Sequence, residues 1–163
     1  MSGTWWSAHT HSQFSTLDGM TEVKELVHKA AMMGQPAIAL TDHGNMAGSV
    51  QLYKAARKEG IAPFPGVEAY LIDPQYQGDL GSSAKVKRFH MGFLALDATG
   101  YQGLVKLVSH SHTRPRFNRF PRLALSDLAS FSRTHSAHVA VTTGCYFGYL
   151  QQVYLTEGPI AAT

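Results

Sequence analysis

A single cysteine, Cys145, in 163 residues rules out an intramolecular disulfide and fits a reducing, intracellular setting. Charge is scarce as well. Asp, Glu, Lys and Arg make up 15% of the chain against 44% apolar residues, a balance that excludes extensive disorder and predicts a folded core. No apolar run approaches the roughly 20 residues that cross a bilayer as a helix. Residues 1–8 lack the basic and apolar regions of a secretory leader, and no repeat or linker divides the rest of the chain. These absences predict one soluble, cytoplasmic domain over residues 1–155, with a loose tail at 156–163 and no membrane contact. The net charge of +3 and isoelectric point near 9.1 permit phosphate-bearing partners without requiring them.

Histidine is what the chain has in excess. Nine are present, and their positions carry more than their number. His9-Thr10-His11 closes a strand-like segment, residues 5–10; strand side chains alternate, so His9 and His11 share a face and can hold one ion between them. Asp18 comes next, then Thr41-Asp42-His43-Gly44 after the apolar run Ala37–Leu40. Each later apolar run also adjoins a possible ligand: Glu68 after 62–67, His90 before 91–96 and Cys145 after 139–143. Ligand types recurring at strand ends are what a barrel-type active site requires.

Each of these residues also has a plainer reading. His9 and His11 could be exposed strand-end residues, Asp18 a turn residue before Gly19, His90 part of a solvated loop with Lys85, Lys87 and Arg88, and Cys145 a small buried apolar side chain. Glu68 closes an apolar strand, where a buried carboxylate needs the compensating charge that a metal supplies. Asp42 reads as a carboxylate that orients a ligating imidazole. His110, His112, His135 and His138 fit no such pattern and read as packing or surface residues.

Helical spacing marks residues 21–33, 45–58 and 100–109, with a shorter helix near 126–131. Alternation of these with five strand signals predicts parallel pairing through right-handed crossovers, hence an α/β sheet or barrel. Pro63 and Pro65 predict that the third strand becomes ordered only near Gly66. Residues 114–122 interleave Arg114, Arg116, Arg119 and Arg122 with aromatics and prolines; they form either a solvated loop or an arm that contacts nucleic-acid phosphates and bases.

With these residues in view, the chain resembles the polymerase-and-histidinol-phosphatase (PHP) domain, in the form at the N-terminus of the bacterial replicative DNA polymerase III α subunit. The likeness rests on His-Thr-His-Ser-Gln-Phe-Ser-Thr-Leu-Asp-Gly from His9, Ala-Leu-Thr-Asp-His-Gly-Asn-Met from Ala39 and Gly-Val-Glu-Ala-Tyr from Gly66. Gly-Tyr-Gln-Gly-Leu-Val-Lys-Leu from Gly100 and Thr143-Gly144-Cys145 extend it more weakly. The resemblance implies a distorted TIM-like barrel of about seven βα units, of which this chain holds about five. It also implies a three-metal cluster. Carried over by position, His9, His11 and Glu68 hold one ion, Glu68, His90 and Cys145 a second, and Asp18 and His43 a third. The family completes the first and third sets with an Asp-x-His motif that is not in this sequence. Zn2+ and Mn2+ are the expected ions, with Mg2+ or Fe as further options; a coordinated Cys145 thiolate favours zinc.

The function implied is metal-dependent phosphoester hydrolysis, with 3′→5′ exonuclease chemistry on the DNA 3′ end and other replication proteins as partners. Two alternatives stand beside it: a catalytically impaired structural or protein-binding module of replication, and a phosphatase acting on a small molecule. Five strands leave an open edge, so self-association, a second polypeptide that completes the barrel, or the C-terminal segment folded across the gap is also expected.

Overall fold

The computed structural model describes residues 5–76, 78–80 and 85–158. In chain order the elements are α1 (Val23–Met32), β1 (Ala37–Leu40), α2 (Ser49–Glu59), β2 (Ala62–Ile72) and β3 (Arg88–Ala95), followed by α3 (Ala98–Ser111), α4 (Leu125–His135), β4 (Val139–Thr142) and α5 (Tyr149–Glu157). The four strands form one mixed sheet in the order β1-β2-β3-β4.

All-parallel pairing is corrected by this sheet. β1 and β2 run parallel through the α2 crossover, but β2–β3 and β3–β4 are antiparallel. The cause lies in the connections. Among the described residues no helix lies between β2 and β3, and two successive helices, α3 and α4, separate β3 from β4. The strand expected over residues 5–10 is reduced to a parallel bridge between Ser7 and Ile38, because the chain bends at Ala8 and His9. It still lies along β1, with Ala39 N donating to Ser7 O at 2.8 Å and Thr41 N to Thr10 O at 2.9 Å.

β2 is continuous from Ala62, so the expected start near Gly66 is also corrected. Ala62–Pro65 pair with β1, and Ala62 N donates to Pro36 O. Alternation in a parallel ladder turns the nitrogens of Pro63 and Pro65 to the other side, where pairing with β3 begins only at Gly66. The tail boundary meets α5, which runs to Glu157, while residues 159–163 lie outside the described residues. Gly60, at φ 75°, ends α2 in the left-handed region that glycine adopts without strain.

Two apolar clusters hold the layers together. One packs Val23 and Val27 of α1 and Leu52 and Ala56 of α2 against Ile38 and Leu40. The other packs Leu104 and Leu107 of α3 against Val67, Ala69, Phe93 and Val139. Alternation along β2 sends Val67 and Ala69 into that second core and leaves Glu68 and Tyr70 on the opposite face. Leu52 is 1% exposed. Leu52→Ala is expected to cost about 2–5 kcal/mol of stability, read by urea denaturation, and a cost below about 1 kcal/mol would contradict tight packing there. Among the described residues no helix is long and apolar enough to cross a membrane.

Candidate metal centre

The face of the sheet opposite α3 gathers ionisable side chains from four parts of the chain. His9 and His11 arrive on the segment beside β1, pinned where Thr10 N donates to Thr41 Oγ1 at 3.1 Å. His43 leaves the end of β1 and is set beside β2 by Glu68 N donating to Asp42 O and Gly44 N to Glu68 O. Gly44 has φ 63°, and Pro121 and Tyr70 stand where a Cβ would project, so only glycine fits this corner. His90 lies directly across the ladder from Tyr70, and cross-strand pairing brings it beside Glu68.

Glu68 is the hub. It is fully buried, with His43 Nδ1 at 2.7 Å and His90 Nδ1 at 3.0 Å from Oε2, and His9 Nε2 at 3.4 Å from Oε1. His9 and His11 meet Nε2 to Nε2 at 3.1 Å, and His43 Nε2 lies 3.0 Å from Asp18 Oδ2. Three sets of donor atoms therefore converge, each within 4.8 Å: His9, His11 and Glu68; His11, Asp18 and His43; and His43, Glu68 and His90. Among the described residues neither carboxylate oxygen of Glu68 has a hydrogen bond of acceptable angle, although both are buried and the His43 and His90 imidazoles stand at ion-pair distance. An orphaned buried carboxylate ringed by imidazoles is costly unless a cation completes it, so this donor set fits a divalent metal.

Asp42 does not touch an imidazole; it works through serines. Its carboxylate accepts from Ser12 N at 2.7 Å, Ser12 Oγ at 2.8 Å and Ser15 Oγ at 2.6 Å. Ser15 has one proton to give, and Asp42 takes it. The Ser15 oxygen is then left to accept from His43 N at 3.1 Å and from His11 Nδ1 at 3.3 Å. That arrangement puts the His11 proton on Nδ1 and leaves the Nε2 lone pair facing Glu68, His9 and Asp18, as a metal ligand requires.

The electrostatics match. Burial works to raise the Glu68 carboxyl, yet the His43 and His90 imidazoles hold it far below the usual carboxylate range. His43 is raised, chiefly by Glu68 against the cost of burial, with Asp18 adding to it. His11 is lowered, chiefly by burial and then by the charge of His43. Burial pushes the Cys145 thiol up. In metal-free protein the His43 contribution is full below the ordinary value of 6.5 and is lost as pH rises through its raised pKa. The penalty for charging His11 grows as pH falls below 6.5. The Glu68 contribution is present above 4.5 and fades only in stronger acid. Metal-free stability is therefore expected to peak close to pH 6.5, and thermal melts across pH 5–9 check it; His43→Gln should remove the alkaline decline.

Placement of the other candidates differs from the sequence expectation. Glu68 and His90 lie inside β2 and β3 rather than at strand ends, because those strands extend past them. Cys145 follows β4 and sits with Sγ 3.4 Å from His90 Nδ1, at the margin of the three sets; His43 takes the third place beside Glu68 and His90. Arg122 is 4% exposed, with Nη1 donating to Leu80 O, and Arg116 is paired with Asp127. These two are engaged within the fold, whereas Arg114 and Arg119 are exposed. Tyr70, Ser12 and Ser15 were not singled out by sequence reasoning. Tyr70 had a signal, since it stands two residues beyond Glu68 in a strand and so shares its face.

The PHP domain family model matches residues 7–162. The chain belongs to the PHP family. The DNA polymerase III α subunit of Borreliella burgdorferi is 35% identical over 153 residues, 91% of this PHP chain and 13% of that protein. The Mycobacterium tuberculosis subunit is 32% identical over 156 residues, 88% of this chain and 13% of that protein. The Thermus aquaticus subunit is 34% identical over 152 residues, 91% and 12% respectively. The PHP chain thus spans 13% or less of the length of these polymerase subunits.

Proposed function

We propose that this PHP domain is a metal-dependent phosphoesterase that hydrolyses phosphodiester bonds at the 3′ end of DNA, in the cytoplasm, as part of a replicative polymerase assembly. The observation that carries the reading is Glu68, a buried carboxylate ringed by imidazoles whose two oxygens have no well-angled hydrogen bond among the described residues. His9, His11, Asp18, His43, Glu68 and His90 would hold the ions, with Cys145 beside His90 as a further donor and zinc or manganese suited to the nitrogen and oxygen set. Bound divalent ions supply Lewis acidity toward phosphate oxygens and acidify the attacking water. The chain's own groups prepare that chemistry. Asp42 and Ser15 fix the His11 proton on Nδ1. The Tyr70 ring stacks on His43, and Phe147 packs on His90, so the imidazoles are held in place and partly shielded from water. The likeness to polymerase α subunits favours DNA as substrate over a small phosphomonoester.

The mixed sheet is, in the same reading, part of a PHP-type distorted barrel. β4 has a strand neighbour on one side only among the described residues, and Val141, Tyr146 and Phe147 are exposed next to it. Further polypeptide, or a second copy, covers that edge, which size measurement across a concentration series tests.

The decisive assay uses 3′-labelled DNA and protein purified without an affinity tag. Shortening from the 3′ end that stops with a chelator and returns with manganese or zinc supports the reading. Hydrolysis of a nucleotide-free phosphomonoester but not of DNA, or no hydrolysis with metal bound, overturns it.

A further inference from the structure

Arg88 opens β3 two residues before His90, so strand alternation puts both on the face that carries Glu68 and Tyr70. Its guanidinium lies 3.8 Å from the Phe120 ring centroid and 5.7 Å from that of Tyr70. Among the described residues it has no carboxylate partner and no hydrogen bond, and its Nε is buried without one. Stacking fixes the plane of a guanidinium while leaving its edge donors available, and that edge matches two phosphate oxygens.

Tyr70 stands between this arginine and the histidine cluster. Its ring is 5.2 Å from that of His90 and 6.0 Å from that of His43, centroid to centroid. The residue is 8% exposed, and its hydroxyl has no hydrogen-bond partner among the described residues. One phosphate cannot touch the cluster and Arg88 together with a tyrosine ring between them. A ligand that engages both must carry two anionic groups.

We propose that Arg88 and the Tyr70 hydroxyl form a subsite for the phosphate next to the scissile one along a polynucleotide strand. This rests on the phosphoesterase reading, which puts the scissile group at the metal centre, and it names the substrate class as one with consecutive phosphates. The subsite is tested by binding, apart from hydrolysis. Fluorescent single-stranded thymidylate oligomers with one phosphate or with two, in hydrolysis-resistant phosphorothioate form, are titrated into the zinc-loaded full chain at several salt concentrations. Arg88→Gln is expected to weaken binding of the two-phosphate oligomer about tenfold and to erase its advantage over the one-phosphate oligomer. The slope of log affinity against log salt should fall by about 0.7. Arg88→Lys should lie between, and Tyr70→Phe, which keeps the ring packing, should lose about threefold. Lys58→Gln, the same charge change on α2, serves as the control and should bind like the parent. If Arg88→Gln and Lys58→Gln bind alike, or the salt slope stays the same, the subsite is wrong. Should Arg88→Gln fail to fold, an unchanged affinity in both Arg88→Lys and Tyr70→Phe overturns it equally. Absence of DNA hydrolysis by the metal-loaded parent would instead strike the phosphoesterase reading and leave the Arg88 result standing on binding.

Discussion

Replacing Glu68 by glutamine should release bound metal and lower phosphodiester hydrolysis by at least about a hundredfold. Glutamine keeps the size of the side chain, so the sheet remains packed, but it removes the negative charge on which His9, His43 and His90 converge. It also places an amide NH2 among imidazole nitrogens that would otherwise face a cation. Elemental analysis of the purified variant, with hydrolysis of labelled DNA measured in parallel, reads both effects. Metal content equal to that of the parent would remove Glu68 from the centre of the site.

The second large effect is expected at Asp42. This carboxylate is 1% exposed and takes three hydrogen bonds, from Ser12 N, Ser12 Oγ and Ser15 Oγ. Asp42→Ala strands those donors in a buried pocket and should cost about 3 kcal/mol of stability. It also frees Ser15 from the task of holding the His11 proton on Nδ1, so zinc affinity should fall about 10–100-fold. Asp42→Asn, which keeps one acceptor, should lose less of both. Chemical denaturation together with competitive zinc titration separates the two quantities; a variant as stable as the parent would show that the serine pair is satisfied in some other way.

Much of the site could be read from the chain because its elements are local. His9 and His11 are two residues apart, His43 follows a short apolar run, and Glu68 closes a recognisable Gly-Val-Glu motif, so each stood out before its neighbours in space were known. Strand direction was less legible. Nothing in the pattern of apolar residues says that the loop after Ile72 turns the chain back or that α3 and α4 form a pair, and those connections make the sheet mixed. Long-range placement hid the rest. Arg122 is one of four basic residues in its segment, yet its guanidinium turns inward to Leu80 O, and Ser15 shows its purpose only once Asp42 and His11 are brought to either side of it.

The central claim is that a divalent metal completes the carboxylate of Glu68. Anomalous diffraction from crystals of the full chain soaked in zinc or manganese tests it most directly. The expected map has a peak within coordination distance of Glu68 and at least two of His9, His11, His43 and His90, and Glu68→Gln removes that peak. Metal found only at other surface histidines, with the Glu68 oxygens hydrogen-bonded to imidazoles alone, would contradict the account.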